Sequence, residues 1–353
     1  MLFSCRLKGN MTAITQQHRL IPAAIEAVCT ACSISRAIQH NLAEIKKVTK
    51  DDRSPVTVAD YAVQAIVTMA LQDLLPKEDC IIVGEEDAAE LRTDKQQTIR
   101  NAIVEAARTW RPQATEENVL DAIDACNHDG SANGYWALDP VDGTKGFLRG
   151  QHYAIALGRV EHGEVVAGVM GCPNLSPNQG HPLDKNDPEG VVYAASTGAG
   201  AWEFAGCNPD VSPMRILASK FVEHKPLRFC ESAEKGHSNR GDSGRIIDLI
   251  GEEGEPARLD SQCKYALVAR GQADGYLRLP TSNIYVEKIW DHAAGMCIAQ
   301  EAGAIVSDVQ GQPLDFSHGK RLEQNRGVIC AIDGLQQQIL NTINSLGIGK
   351  EEA

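Results

Sequence analysis

Apolar residues recur at helical spacing in two stretches near the N-terminus. The first covers residues 20–38. The second covers about residues 59–74, where offsets of 0, 3, 4, 7, 8 and 11 are occupied by Val63, Ile66, Val67, Ala70, Leu71 and Leu74. Because residues at these intervals share one face of an α-helix, the pattern predicts two core helices. Pro76 is expected to stop the second helix.

Short apolar runs separated by turn residues predict a strand-rich region after these helices. A buried strand is expected at residues 80–83, and the polar, mixed residues 87–134 indicate helices flanking a loop. Further strands are predicted at residues 135–138, 153–160, 164–171, 192–196 and 201–204. Glu161-His162-Gly163 is typical of a hairpin turn, and residues 173–190, rich in Pro, Asn, Asp and Gly, indicate an exposed loop.

Strand and helix patterns alternate after the stretch from Pro209 to Pro213. The predicted elements lie at residues 227–230, 243–250, 257–259, 262–270, 275–279, 291–302, 328–331 and 334–346. Such alternation is typical of an α/β arrangement, so we expect an α+β first half and an α/β second half.

Composition limits the classes of partner. The chain has 353 residues and a formal net charge of −13, so it has no global attraction for nucleic acid or for anionic membranes. No stretch approaches the roughly 18 consecutive apolar residues of a membrane span. The 11 cysteines are dispersed, which favours reduced, buried thiols in an intracellular compartment over a secreted disulfide framework. The pair Cys29 and Cys32 suits packing on a helix face, and the sequence leaves a redox role open.

The first 25 residues contain no acidic residue but include Arg6, Lys8 and Arg19. This composition is shared with organellar transit segments, whereas a secretory signal would need an apolar stretch that is missing here. Met11 is an alternative start. We expect an N-terminal extension and a cytoplasmic protein, with organellar targeting as the alternative.

Three acidic clusters fall where predicted strands or helices begin or end. Gly84-Glu85-Glu86-Asp87 follows the strand predicted at residues 80–83, and Asp139-Pro140-Val141-Asp142-Gly143-Thr144 follows the strand predicted at residues 135–138. The third cluster, Trp290-Asp291-His292-Ala293-Ala294-Gly295, opens a predicted helix, where Asp291 suits the N-cap position.

The middle cluster suggests chemistry. Pro140 fixes the backbone and Gly143 permits a sharp turn, so Asp139 and Asp142 can converge on one point. Two carboxylates this close repel each other unless a cation lies between them, and all-oxygen ligation favours a hard cation such as Mg²⁺, Mn²⁺ or Ca²⁺. The backbone amides that follow Gly143 suit a phosphate held against the metal. Each cluster alone is more often a turn, a solvated surface group or a helix cap; their joint occurrence favours a phosphoryl-transfer site.

These motifs resemble those of the lithium-sensitive, Mg²⁺-dependent phosphatases related to inositol monophosphatase, over about residues 20–346. Within that family the sequence is most similar to the 3'(2'),5'-bisphosphate nucleotidases. The segments that carry this closer similarity are Val48–Tyr61, Asp142–Gly150, Glu234–His237, Asp260–Tyr265 and Tyr276–Pro280. An inositol monophosphatase typically has Thr at the position of Lys145 and lacks the segments of His237 and Lys264.

The resemblance implies a role for each matching residue. A pair of Mg²⁺ ions would be held by Glu85, Asp139, Asp142, Asp291 and the carbonyl of Val141. Asp52 and Thr144 would orient and deprotonate the attacking water, Asp52 with a third, weaker metal as an option. Asp60 matches an acid that supports this group, although it also suits a cap of the second helix. The nucleotide and its non-scissile phosphate would contact His237, Ser261, Lys264 and Arg278, with Thr144 and Asp291 touching the substrate.

The resemblance also implies a layered α-β-α-β-α sandwich. Residues 1–19 would form the extension, residues 20–207 an α+β domain with a large, mainly antiparallel sheet, and residues 208–353 an α/β domain. The metals would lie in the cleft between the two domains, and Li⁺ would inhibit by occupying one metal site. A monomer acting on a small bisphosphorylated nucleotide is expected.

The implied reaction is hydrolysis of the 3'-phosphate of adenosine 3',5'-bisphosphate to AMP, with 3'-phosphoadenylyl sulfate as a second substrate and a link to sulfate assimilation. A second phosphate without a metal needs fixed cations, which Lys264 and Arg278 can supply. The alternatives are an inositol (poly)phosphate 1-phosphatase of the same superfamily and a non-catalytic nucleotide sensor. The complete set of acids and Thr144 argues against the sensor.

Overall fold

A computed structural model describes residues 18–42, 45, 54–231, 241–280 and 285–349. These residues form two β-sheets with helices packed between them and on both outer faces. Asp52 and His237, and the predicted extension up to residue 17, lie outside the described residues.

The first sheet has seven strands in the order β1-β2-β3-β4-β5-β6-β7. Its strands are β1 (Ile82–Gly84), β2 (Gly134–Asp142), β3 (Ala154–Glu161), β4 (Glu164–Cys172), β5 (Val191–Ser196), β6 (Gly200–Ala205) and β7 (Met214–Ile216). Strands β1 and β2 run parallel, and every later neighbour pair is antiparallel. The predicted hairpin turn between β3 and β4 is present, with positive φ at both His162 and Gly163, as a tight hairpin requires.

The second sheet has five strands in the order β11-β12-β10-β8-β9. Its strands are β8 (Phe229–Glu231), β9 (Ala257–Arg258), β10 (Gly275–Arg278), β11 (Ala304–Ser307) and β12 (Val328–Ile332). Strands β8, β9 and β10 run parallel, whereas β12 is antiparallel to both of its neighbours. This sheet therefore mixes parallel and antiparallel pairing. The parallel pairing of β8, β9 and β10 agrees with the α/β arrangement that the alternating sequence pattern predicts.

The α-helices form three layers. They are α1 (Ile21–His40), α2 (Ser54–Leu74), α3 (Gln97–Trp110), α4 (Glu116–Asp124), α5 (Thr144–Leu148), α6 (Asp242–Ile250), α7 (Cys263–Ala269), α8 (Ala293–Glu301) and α9 (Gln336–Leu346). Helices α1 and α2 pack on one face of the first sheet, α7 and α8 lie between the two sheets, and α6 and α9 pack together beyond the second sheet. The layering is the α-β-α-β-α sandwich that the sequence resemblance implies.

Alternating side chains explain why the first sheet is covered on both faces. Along β2, Trp136 and Leu138 join the core beneath α1 and α2, whereas Tyr135 and Ala137 join the core shared with α7 and α8. Successive residues of a strand point to opposite faces, so a strand with apolar residues at both sets of positions needs a cover on each side.

Several element boundaries differ from the predictions. Helix α2 begins at Ser54, five residues before the predicted start at residue 59, so Asp60 lies inside the helix and does not cap it. Helix α8 begins at Ala293, and its N-cap is His292; the prediction of Asp291 as the cap is wrong. The chain makes an additional turn at residues 289–292, stabilised by backbone bonds from His292 and Ala293 to the carbonyl of Ile289. The predictions missed β7 and β11, which are short and pair at sheet edges.

Helix α1 is long and apolar enough to cross a membrane by length and composition. In this fold it instead packs against α2 and against strands β3, β4 and β5. Its buried residues include Ile21, Ile25 and Val28. A core helix passes the same test of length and composition, and the packing of α1 fits that description.

Helix α8 approaches the first sheet very closely because glycines face it. A Cβ atom built on Gly158 of β3 would lie 2.5 Å from the Cβ of Ala293, and one on Gly168 of β4 would lie 2.7 Å from the carbonyl oxygen of Ala294. Real Cβ atoms essentially never approach another heavy atom outside their own neighbours this closely. The two glycines therefore set the depth at which the start of α8, just after Asp291, sits on the sheet.

We predict that Gly168→Ala lowers the free energy of unfolding by about 1–3 kcal/mol, because the added methyl overpacks this contact. Urea titration of purified protein measures the change. Gly180→Ala is the matched control, since its Cβ would meet only Asn178 Oδ1 at 3.4 Å in an exposed loop. Equal stability of the two variants would contradict the packing argument.

Candidate active site

Parallel pairing of β1 and β2 brings the first two acidic clusters together. Gly84 pairs with Leu138, so Glu85 leaves the end of β1 beside Asp139 on β2. The two carboxyl groups lie within hydrogen-bonding reach of each other. Strand neighbours thus place side chains that are 54 positions apart in the sequence at one point.

An irregularity in β2 separates Asp139 from Asp142. Asp139 pairs with Ala156 of β3, and Asp142 pairs with Ala154, so three steps along β2 match two along β3. Pro140 and Val141 therefore have no partner in the register with β3, as expected at a bulge and at a proline without an N–H. The bulge frees the Val141 carbonyl from the regular ladder, which is compatible with the ligand role implied by the resemblance.

Gln262 joins the remaining parts of the site. Its backbone N–H donates to Asp142 Oδ2 at 2.5 Å. Its buried side chain donates to the Trp290 carbonyl at 2.9 Å and accepts from the Gly295 N–H at 3.0 Å. One residue at the start of α7 thereby fixes the end of β2 to the chain segment that carries Asp291.

Gly143 is required for this junction. A Cβ at Gly143 would lie 2.8 Å from the Cβ of Ser261, and its φ of +90° is a left-handed conformation that favours glycine. Ser261 itself has φ +73° and is 8% exposed. Two turns, one from each half of the chain, are therefore packed directly on each other beside Asp142.

The acids strongly perturb one another. Loss of solvent, followed by the charges of Glu86, Asp291 and Asp142, raises the pKa of Glu85 from an ordinary 4.5 to about 7, although the residue keeps exposed surface. Burial, followed by the charges of Glu85, Asp142 and Asp291, raises the pKa of Asp139 well above its usual range. Burial and Asp291 also raise the pKa of Asp142, against the opposing charges of Lys264 and Arg278. Without a cation these carboxylates cannot all ionise at neutral pH.

The donor set fits a hard divalent cation. Asp139 is 2% exposed, and its buried Oδ1 accepts no hydrogen bond among the described residues. A buried carboxylate oxygen without a partner is costly unless it binds a cation. Oxygen ligands from Glu85, Asp139, Asp142 and Asp291 are the kind that Mg²⁺, Mn²⁺ or Ca²⁺ prefers.

Two residues of α2 support the Glu85 side of the site. The buried side chain of Gln64 donates to the Glu86 carbonyl at 2.8 Å and accepts from the Glu86 N–H at 3.1 Å, which fixes the segment after β1. Asp60 lies one turn earlier on the same helix. Burial and the charges of Glu86 and Glu85 raise its pKa well above the usual range, so Asp60 belongs to the acidic group.

Two cations lie close to Asp142. Lys264 is on α7, with its Nζ 5.2 Å from the centre of the Tyr276 ring. Arg278 ends β10, and its Nη2 lies 3.2 Å from Asp291 Oδ2. Both charges act on Asp142, which places them beside the acids.

The structure thus gathers most of the sequence-predicted residues in one place. Thr144 is exposed and begins α5, directly after the Asp142–Gly143 turn. The roles assigned to Asp52 and His237 stay predictions, because neither residue lies in the described ranges. The sequence analysis missed Gln64 and Gln262. It also assigned no role to Glu287, which pairs with Arg278, or to His292, which contacts Glu287. Gln262 lies within a segment that carries the family resemblance, but nothing in its local pattern reveals its three partners.

Comparison with known proteins identifies the family. The sequence model of the inositol monophosphatase family matches residues 11–346. The chain belongs to this family. Members of the family are metal-dependent phosphatases, in agreement with the unpaired oxygen of Asp139 and the perturbed acids around it.

Individual relatives and solved structures show which members of the family this chain is similar to. A 3'(2'),5'-bisphosphate nucleotidase of Schizosaccharomyces pombe is 40% identical over 336 residues, which cover 90% of this chain and 92% of the relative. A protein of the same name from Emericella nidulans is 40% identical and covers 85% of this chain and 90% of its own. The inositol monophosphatase of Anabaena superposes with a TM-score of 0.59 at 17% identity, over 94% of this chain and 97% of that one. The predicted family and layered fold are confirmed.

We predict that the affinity of this protein for a divalent metal ion increases as pH rises to about 7. Glu85 is largely protonated below its raised pKa, and a metal must displace that proton. Between about pH 4.5 and pH 7 the native state holds a proton that the unfolded chain has lost, so the metal-free protein becomes less stable as pH rises. The rise in melting temperature on adding Mg²⁺ should therefore be larger at pH 8 than at pH 6, with apparent affinity changing up to about tenfold per pH unit for each proton displaced.

Glu85→Gln removes both a titrating group and a proposed metal ligand, so the rise in melting temperature on adding Mg²⁺ should be smaller in this variant at pH 8 than in the unsubstituted protein. A metal-induced shift of equal size at pH 6 and pH 8 in the unsubstituted protein would contradict the prediction.

Asp139→Asn should stabilise the metal-free protein at pH 8 by about 1 kcal/mol or more, because it removes a buried acid whose ionised form is disfavoured by burial and by the charges of its neighbours. The same change should abolish most of the stabilisation by Mg²⁺. Calorimetric unfolding with chelator and with metal measures both effects. Asp184→Asn, at an exposed position between β4 and β5, should change neither. Loss of stability in the metal-free Asp139 variant would argue against electrostatic repulsion in the acidic cluster.

Proposed function

We propose that this protein is a metal-dependent phosphatase that hydrolyses the 3'-phosphate of adenosine 3',5'-bisphosphate to give AMP and phosphate. The observation that carries the proposal is the pair Lys264 and Arg278 beside the acidic cluster. The acids suit metals that bind the scissile phosphate, and the two cations suit a second phosphate without a metal. Relatives named 3'(2'),5'-bisphosphate nucleotidase match along most of the chain, which supports this substrate class.

In the proposed reaction, water attacks the 3'-phosphorus and the bond from phosphorus to the ribose 3'-oxygen breaks. Bound divalent ions supply charge neutralisation of the phosphate and a lowered pKa of the attacking water. Glu85, Asp139, Asp142, Asp291 and the Val141 carbonyl would hold these ions. Thr144, at the start of α5, is proposed to orient the water through Oγ1, with Asp52 proposed as its partner in accepting the proton.

The second phosphate explains why fixed cations are needed. Lys264 approaches from α7 and Arg278 from β10, and a guanidinium can donate two parallel hydrogen bonds to one phosphate. Ser261, at the tight turn over Gly143, would contact the sugar or its phosphate, and His237 is proposed to contact the nucleotide. A monophosphate would leave the Lys264 and Arg278 side of the site without a ligand.

We further propose Mg²⁺ as the metal, since the site offers oxygen ligands, and inhibition by Li⁺ through one of the metal positions. The ten cysteines in the described ranges are free thiols, which supports the proposal of a reducing compartment such as the cytoplasm.

The test is release of phosphate from adenosine 3',5'-bisphosphate with and without Mg²⁺, alongside 3'-phosphoadenylyl sulfate, inositol 1-phosphate, inositol 1,4-bisphosphate and AMP. We expect strong, metal-dependent release from the adenosine bisphosphate and little from AMP or inositol 1-phosphate. Preference for an inositol phosphate would retain the metal site and overturn the substrate assignment.

Lys264→Ala should raise KM for adenosine 3',5'-bisphosphate about 10- to 100-fold, because a charged hydrogen bond to the second phosphate is worth roughly 1.5–3 kcal/mol. Adenosine 3'-phosphate, which lacks that phosphate, should be affected much less. Steady-state kinetics on both substrates measure the difference, and Lys225→Ala, an exposed lysine between β7 and β8, is the control. Equal losses on both substrates would argue against a contact between Lys264 and the second phosphate.

A further inference from the structure

Three side chains of the kinds that bind metal ions lie close together beside the predicted metal site. One oxygen each of Glu287 and Asp291 and one ring nitrogen of His292 lie within 4.8 Å of one another. The cluster already contains a cation, because Arg278 Nη2 lies 2.7 Å from Glu287 Oε2 and 3.2 Å from Asp291 Oδ2. Glu287 and His292 are therefore parts of a hydrogen-bonded chain around Arg278 and do not form a separate metal site.

Glu287 occupies one whole edge of the Arg278 guanidinium. Arg278 Nε donates to Glu287 Oε1 at 3.0 Å, on the same edge as the contact of Nη2 with Oε2. Nη2 also faces Asp291, and it donates to the Tyr285 hydroxyl at 3.4 Å. Within the described part of the chain, no residue accepts a hydrogen bond from Nη1. The two N–H groups of Nη1 are thus the ones that this arrangement leaves for a substrate.

Buried groups fix Glu287 in turn. His292 is fully buried, and its Nε2 lies 3.2 Å from Glu287 Oε2, while its Nδ1 lies 2.8 Å from the Tyr265 hydroxyl. Tyr265 is also fully buried in the layer between the two sheets. Burial by itself would raise the pKa of Glu287, but the hydrogen bond from His292 and the charge of Arg278 lower it. Glu287 is therefore held as an anion.

The same tyrosine also supports the second cation. Tyr265 packs edge-on against Tyr276, with ring centres 5.2 Å apart and an angle of 85° between the rings. Lys264 Nζ lies over the other ring of this pair, that of Tyr276. Tyr265 is thus in contact with the groups that position both Arg278 and Lys264.

We propose that Glu287, held by His292 and Tyr265, is a positioning residue that keeps Arg278 turned toward the second phosphate and thereby sets the preference for bisphosphorylated over monophosphorylated substrates. The inference rests on the proposed function. Its physical basis is a competition between anions for one guanidinium. Without the charge of Glu287, the nearest anion to Arg278 is Asp291, and pairing with Asp291 would draw the guanidinium toward the metal ligands and away from the substrate.

Glu287→Gln tests this inference because it removes the charge while retaining the size of the side chain. At saturating Mg²⁺ we expect KM for adenosine 3',5'-bisphosphate to rise about tenfold with kcat changed less than about threefold, since a contact made equally in the ground and transition states affects KM. The change in kcat/KM for adenosine 3'-phosphate should be much smaller. A general loss of structure would lower the activity on both substrates together.

A double-mutant cycle shows whether Glu287 acts through Arg278. In an Arg278→Ala background, Glu287→Gln should cause little further loss with the bisphosphate, because the residue that it positions is gone. Additive losses would overturn the proposal. Glu203→Gln is the matched control: Glu203 is a buried acid whose Oε2 lies 3.6 Å from Arg270 Nη1, and its substitution should leave the ratio of activities on the two substrates unchanged.

Tyr265→Phe provides a second, milder variant in case Glu287→Gln does not fold. It removes only the hydroxyl bonded to His292, and we expect a two- to threefold rise in KM for the bisphosphate in the same direction. An unchanged substrate preference in a folded Glu287→Gln or Tyr265→Phe variant would overturn the positioning role alone. Failure of the unsubstituted protein to hydrolyse the bisphosphate would overturn the proposed function, and the inference with it.

Discussion

The mutual repulsion of carboxylates in a place with little water is the constraint on which the site depends. Glu85, Asp139, Asp142 and Asp291 come from three separate segments of the chain, and burial adds to the cost of ionising Glu85, Asp139 and Asp142. Left to themselves, these side chains would separate or take up protons. They stay together because other residues hydrogen-bond to, or pack against, the backbone segments that carry these acids.

Two buried glutamines supply much of that fixation. Gln64 bonds both backbone groups of Glu86, and Gln262 bonds Asp142, Trp290 and Gly295. An amide can donate and accept at once without adding charge, so it can link backbone segments inside a cluster of acids without changing the cluster's charge. The glycines that face α8 serve the same end, because they let the helix that follows Asp291 lie directly on the first sheet.

The cations divide the site into two parts. Metals would compensate the acids around Glu85 and Asp139, whereas Lys264 and Arg278 supply fixed positive charge close to Asp142. Arg278 touches both parts, since it contacts Asp291 and Glu287. How Arg278 divides its hydrogen bonds between Asp291 and Glu287 therefore decides whether its guanidinium lies nearer to the proposed metal ligands or to the proposed site of the second phosphate.

Sequence patterns alone predict the two core helices, most strands, the acidic motifs and the family, because each depends on residues that are near one another along the chain. Periodicity predicted α1 and the strands from β2 to β6, and the motif around Asp139 predicted a turn that places two acids together. The tertiary structure was needed to show that Asp291 lies in the turn before α8 and does not cap the helix. It was also needed to show that Asp60 lies within α2 and close to the other acids. It also revealed the partners of Gln262, Glu287 and Tyr265, because each of these residues acts through groups brought close by the packing of the two sheets. Local pattern carries no information about such contacts, whose energies depend on which surfaces meet after the chain has folded.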